Sequence, residues 1–103
     1  ANPHTTEKLL SALLPVFKAK DLAVHFHDTR GNAIENIDIS LDFGISTFDA
    51  SIAGLGGCPY APGARGNVST EAVIDFLESK GFHTGVDREK IKVAAEFARS
   101  LTR

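Results

Sequence analysis

The chain has 103 residues, of which 43% are hydrophobic and 23% charged, with 11 basic residues against 13 acidic and a net charge of -2. Such a size and mixture fit one small globular domain or one piece of a larger one, and they exclude a disordered polyelectrolyte. Lys and Arg are scattered and no apolar run approaches the roughly 20 residues of a membrane span, so neither nucleic acid nor a membrane is an expected partner. The single cysteine, Cys58, permits no internal disulfide and no Cys-rich zinc site, in keeping with a reducing compartment.

The chain starts at Ala1 rather than Met, without a signal-peptide pattern, and a processed or truncated N-terminus is expected. Thr5 or Thr6 is placed to cap a first helix, with Leu9, Leu10, Leu13 and Leu14 at helical spacing and Pro15 ending it. Residues 22–27 have the length and β-leaning content of a strand, with Leu22, Val24 and Phe26 on one face and Ala23, His25 and His27 on the other. Asn32 and Glu35 resemble a capping box for a second helix carrying Ile34, Ile37 and Leu41, which Gly44 can close in a left-handed conformation. Residues 45–52 alternate as a second strand, setting Thr47, Asp49 and Ser51 opposite Phe48, Ala50 and Ile52.

Residues 53–67 are dense in Gly and Pro, and a loop of that length between regular elements is more often functional than a plain connector. Ser69 or Thr70 caps a third helix carrying Val73, Ile74, Phe76 and Leu77, closed by Gly81. Asp87 caps a fourth with Ile91, Ala94, Ala95 and Ala98. The resulting order of helix, strand, helix, strand, loop, helix, helix is the βαβ grammar of a parallel sheet covered by helices.

Three segments can carry chemistry. The period of two in His25-Phe26-His27 puts both imidazoles on one strand face, about 7 Å apart along the chain, close enough to converge on one ion. An isolated H-x-H is more often a pair of hydrogen-bonded histidines on a half-exposed strand. Here the strand ends at His27, and in parallel α/β folds ligands sit at the C-terminal ends of strands. In Gly54-Leu55-Gly56-Gly57-Cys58-Pro59-Tyr60, glycines flank a lone thiol and leave it open to act as a nucleophile or an acid/base group, on a stretch that could move as a lid does. A free cysteine is otherwise usually a small buried hydrophobe, but burial is hard to reach in a Gly-rich loop. Asn67, just before the third helix, either favours a turn or offers its amide oxygen to a hard cation such as Mg²⁺ or Mn²⁺.

Taken together, Ala23-Val24-His25-Phe26-His27-Asp28-Thr29-Arg30-Gly31-Asn32-Ala33, Phe48-Asp49-Ala50-Ser51-Ile52-Ala53-Gly54-Leu55-Gly56-Gly57-Cys58-Pro59-Tyr60-Ala61 and Gly63-Ala64-Arg65-Gly66-Asn67-Val68 resemble the hydroxymethylglutaryl-CoA lyase family. The likeness continues through Thr70-Glu71 and Thr84-Gly85-Val86, and Gly-Leu-Gly-Gly-Cys-Pro-Tyr-Ala is its most specific part. The resemblance implies a (β/α)₈ TIM barrel that cleaves 3-hydroxy-3-methylglutaryl-CoA into acetyl-CoA and acetoacetate with a divalent cation, Mg²⁺ or Mn²⁺. It implies His25, His27 and Asn67 as metal ligands, Cys58 and His25 as the residues of proton transfer, and Gly54, Gly56, Gly57, Pro59 and Tyr60 as the substrate loop. The expected partners are an acyl-CoA substrate and further copies of the parent in a homodimer or other homo-oligomer. The expected compartment is the bacterial cytoplasm, or the mitochondrial matrix in a eukaryote.

A barrel of this kind takes roughly 250 residues. Residues 1–103 therefore read as the C-terminal part of a single barrel domain, holding strands six and seven with flanking helices, not closed by this chain alone. The family's first-strand Arg-Asp pair, which supplies a further metal ligand and an enolate-stabilising arginine, has no counterpart here. Two other readings remain: a non-catalytic fragment or self-associating module with a residual metal site, and a Claisen-type acyltransferase related to isopropylmalate synthase. Members of that last group share the H-x-H but carry Gly-Glu-Arg-Ala-Gly-Asn-like loops in place of the cysteine segment.

Overall fold

The computed structural model describes residues 1–56 and 66–101. Helix α1 spans Pro3–Leu13 and opens on Asn2, whose Oδ1 accepts the Thr5 N–H at 2.9 Å while Thr5 Oγ1 accepts the Asn2 N–H at 3.0 Å. The expected caps Thr5 and Thr6 thus lie inside the helix. Pro3 is the feature that moves the start forward, because its fixed φ and missing N–H suit a first helical turn.

Helix α2 spans Ala33–Asp42, and Asn32 precedes it without making the expected side-chain cap. Its place is taken by Asp28, whose Oδ1 accepts the Ala33 N–H at 3.2 Å. A turn with Gly31 at φ 73° folds the chain back far enough for that reach. At the other end Gly44 adopts φ 87°, donates to Leu41 O at 2.9 Å, and Ile45 donates to Ser40 O at 3.1 Å. This pair of bonds satisfies the last carbonyls and folds Ile45 into the interior, where it is buried.

Strands β1 (Val24–His25) and β2 (Phe48–Asp49) are parallel, with Val24 opposite Phe48 and His25 opposite Asp49. Both are shorter than the expected strands over 22–27 and 45–52. On one side, β1 has no neighbour among the described residues to extend its ladder. On the other, the chain leaves β2 for a 3₁₀ turn at Ile52–Gly54, inside which Ala53 takes φ 55°. A third extended piece follows that sequence patterning does not show. Asn67 bridges antiparallel to His27 and Ser69 parallel to Ser51, so Val68 donates to Phe26 O at 3.2 Å and accepts from the Ser51 N–H at 3.1 Å.

Helix α3 (Thr70–Ser79) is capped by Ser69, whose Oγ accepts the Ala72 N–H at 3.2 Å, and closes at Gly81. Helix α4 (Arg88–Leu101) is capped by Asp87, whose Oδ1 accepts the Glu89 and Lys90 N–H groups at 3.0 and 3.1 Å. Ala95 and Ala98 are buried and Ile91 is half-buried, whereas Ala94 is exposed rather than part of the inner face.

Ala33, Ile37, Val68 and Val73 form the core, and Phe26, Phe48, Ala50, Ile34, Phe76 and Leu77 pack against it. The helices therefore cover one face of the strand pair, and the opposite face, with His25, His27 and Asp49, is open. The molecule is a slab of 44 × 34 × 20 Å, and among the described residues the sheet does not close. Val16, Phe17, Val93, Phe97 and Leu101 each keep half or more of their surface exposed. Open strand edges with bare apolar helix faces are what part of a larger layered fold presents. No helix among the described residues is long and apolar enough to cross a membrane.

Candidate functional site

The site is assembled by register. Alternation along β1 sends Val24 and Phe26 toward the helices and His25 and His27 to the open face, where their rings stand edge to face with centroids 5.3 Å apart. The antiparallel bridge at Asn67 brings a residue 42 positions downstream to the same face, and His25 Nε2 lies 2.9 Å from Asn67 Oδ1.

The Asn67 amide has a fixed sense. Its Nδ2 donates to Leu55 O at 2.7 Å, with Gly56 O at 3.4 Å, so the oxygen and not the nitrogen faces His25. These bonds also tie Asn67 to the first residues of the Gly-rich segment. Two of that segment's glycines are obligatory at this close approach. A Cβ on Gly54, at φ 69°, would stand 2.9 Å from Asn67 O, and one on Gly56, at φ 93°, would stand 2.8 Å from Asn67 Nδ2.

Of the residues singled out from sequence, His25, His27, Asn67, Gly54 and Gly56 are gathered on one edge of the open face. Cys58, Gly57, Pro59 and Tyr60 lie outside the described residues. One participant was missed. Asp49 presents its backbone O and its carboxylate Oδ2, each at 3.3 Å, to His25 Nδ1. The signal for it was present, since Asp49 stands on the polar face of the second alternating segment; the pairing of β2 with β1 in that register was not readable.

Imidazole and amide oxygen are both able to hold a divalent cation. Two ligands about 2.1 Å from such an ion on adjacent octahedral vertices stand about 3 Å apart, close to the separation of His25 Nε2 and Asn67 Oδ1. The set depends on an amide: among the described residues no three His, Cys, Asp or Glu side chains gather with metal-binding spacing.

A βαβ unit with helices on one side, and an imidazole–amide pair at the strand ends on the other, defines a piece of a parallel α/β protein with a polar site at its C-terminal strand edge. The HMGL-like family model matches residues 1–98, and the chain belongs to that family. It is 50% identical over 97 residues to a hydroxymethylglutaryl-CoA lyase of Bacillus subtilis, covering 94% of this chain and 32% of that protein. Against the mitochondrial hydroxymethylglutaryl-CoA lyase of Arabidopsis thaliana the identity is 54% over 95 residues, covering 92% of this chain and 20% of the relative. The crystal structure of the HMG-CoA lyase from Brucella melitensis superposes with a TM-score of 0.95 at 48% identity, over 98% of this chain and 36% of that one. An A. baumannii HMG-CoA lyase structure, in complex with coenzyme A and 3-methylmalate, superposes with a TM-score of 0.87 at 36% identity, over 98% of this chain and 33% of that one. The chain thus spans about a fifth to a third of the length of these relatives, and it is an α/β piece of their TIM-barrel structure whose sheet, among the described residues, is not closed.

Proposed function

We propose that this chain is the C-terminal part of a divalent-metal-dependent lyase that cleaves 3-hydroxy-3-methylglutaryl-CoA to acetyl-CoA and acetoacetate. In this reading β1 and β2 are barrel strands six and seven, and the extended piece around Asn67 and Ser69 is strand eight. The observation that carries the proposal is the 2.9 Å approach of His25 Nε2 to Asn67 Oδ1, with the His27 ring beside it. The relatives' activity and the coenzyme A complex of the A. baumannii structure support the substrate class.

His25, His27 and Asn67 would hold Mg²⁺ or Mn²⁺, which supplies Lewis acidity to the substrate's C3 hydroxyl oxygen. A basic group supplied by the rest of the parent's site takes the hydroxyl proton, the O–H electron pair becomes the second bond of the C3 carbonyl, and the C2–C3 bond breaks. Acetoacetate leaves from one side, and the electron pair stays as the enolate of acetyl-CoA. A proton delivered to C2 completes the reaction, and Cys58 is assigned that delivery; the resemblance names His25 for it as well, but a His25 whose Nε2 holds the ion and whose Nδ1–H faces Asp49 has no nitrogen left for it. Asn67 has a second task. It clamps Leu55 O and Gly56 O, and so holds the start of the Gly-rich segment that carries Cys58 in sequence.

The arginine and the remaining metal ligand expected of the family must come from the rest of the parent protein, so the chain by itself is expected to be inactive. A homodimer or other homo-oligomer, in the bacterial cytoplasm or the mitochondrial matrix, is the corresponding setting. The test is an assay of the full-length protein with Mn²⁺. Stoichiometric acetoacetate and acetyl-CoA, lost on chelation and reduced on the order of 10³-fold by His27→Ala, is the expected result. Full cleavage by His27→Ala, or none by the metal-loaded wild type, would refute it.

A further inference from the structure

The His25 ring faces hydrogen-bond acceptors on both sides. Nδ1 points at Asp49 O and Oδ2, both at 3.3 Å, and Nε2 points at Asn67 Oδ1 at 2.9 Å. The sense of the Asn67 amide is held by Leu55 O, so no flip turns that acceptor into a donor. A neutral imidazole carries one N–H and can satisfy one side only. Both sides are met together by a doubly protonated ring, or by a neutral ring with its proton on Nδ1 and a cation shared between Nε2 and Oδ1.

We infer that Asp49 is a positioning residue for the metal site: it accepts the hydrogen bond of His25 Nδ1–H, so holds the tautomer with a free lone pair on Nε2, and aims that lone pair at the ion beside Asn67. The inference rests on the metal site proposed above. Its geometry comes from the sheet, because the parallel register sets His25 directly across from Asp49. The backbone carbonyl of Asp49 anchors the ring whatever the side chain is. The carboxylate adds the charge that makes Nε2 a stronger donor to a cation, as a carboxylate behind a ligating histidine does in metal sites generally. The Asp49 side chain is 77% exposed, so its replacement should leave the fold intact.

The experiment uses the full-length protein, with Mn²⁺ affinity read from the free-ion EPR signal and with the visible spectrum of the Co²⁺-substituted form. Asp49→Ala should weaken Mn²⁺ binding about tenfold or more and perturb the Co²⁺ bands. Asp49→Asn should lie between it and wild type, and metal-free thermal unfolding should stay unchanged in both. Wild-type Mn²⁺ affinity in Asp49→Ala would overturn the role of Asp49 while leaving the site itself standing. Wild-type Mn²⁺ affinity in His25→Ala would instead remove the metal site, and this inference with it.

Discussion

The two faces of the β1–β2 pair sit under different constraints. On the helix side Phe26 and Phe48 pack against a cluster of Ala33, Ile37, Val68 and Val73, all from within the chain. On the other side His25 and Asp49 carry side chains that are 38% and 77% exposed. Their partners are each other and Asn67. The first face is held by apolar burial, which is additive and tolerant of repacking; the second is held by a few directional contacts that only register can deliver. The outer layer of a barrel segment can therefore be packed while its inner face still awaits the rest of the wall.

Substitutions on the two faces should separate stability from metal binding. Ile37 is 1% exposed at the centre of the helix-side core. Ile37→Ala should lower the unfolding free energy of the full-length protein by about 3 kcal/mol, from lost transfer and an unfilled cavity. Denaturant titration measures this, and the Mn²⁺ affinity of the fraction still folded should be unchanged. His25→Ala should do the reverse, abolishing Mn²⁺ binding with less than about 0.5 kcal/mol of stability change. A large stability loss in His25→Ala would mean that the open face helps hold the sheet together, and the contrast between the faces would fail.

Gly56 lies on the boundary between them. With φ at 93° and no room for a Cβ beside Asn67 Nδ2, Gly56→Ala must strain its backbone and displace the amide. The expected cost is about 1–2 kcal/mol. Mn²⁺ affinity should fall as well, because Asn67 Oδ1 moves with the same amide. Normal affinity at reduced stability would show that the 2.9 Å approach of His25 to Asn67 is not what the ion uses.

What was readable from sequence follows the same division. Helix ends at Gly44 and Gly81 were legible because a left-handed C-terminal cap asks for glycine, and the inner and outer strand faces were legible because alternation is a local property. The caps at Asn2 and Asp28 were not. Thr5, Thr6 and Asn32 are equally good capping residues, and the choice was made by Pro3 and by a turn at Gly31 that brings Asp28 five residues forward. His25, His27 and Asn67 could be named one by one from residue type and resemblance. Asp49 could not, since its role exists only once β2 lies beside β1 in one register. The last strand could be expected only as a few residues near Asn67, without bounds, for a related reason: the single bridges at Asn67 and Ser69 carry no periodicity.

The smallest predicted effect concerns Ala53, which holds φ 55° and ψ 14° without being glycine. A left-handed alanine costs about 1–2 kcal/mol. Glu71 offsets part of that cost: its Oε1 accepts the Ala53 N–H at 2.9 Å, while its Oε2 stands 3.2 Å from Arg99 Nη2, linking the turn to α3 and α4. Ala53→Gly would remove the steric strain, yet it would also give the unfolded chain about 0.5–1 kcal/mol of extra entropy. The difference leaves a net stabilisation of about 0–1.5 kcal/mol, seen as a small upward shift of the denaturation midpoint with an unchanged slope. A downward shift would mean that the half-buried methyl of Ala53 contributes more by packing than its backbone loses by strain. In that case the entrance to the Gly-rich segment would be held by contact, as the helix side of the sheet is, and not by the hydrogen bond that the Ala53 N–H donates to Glu71.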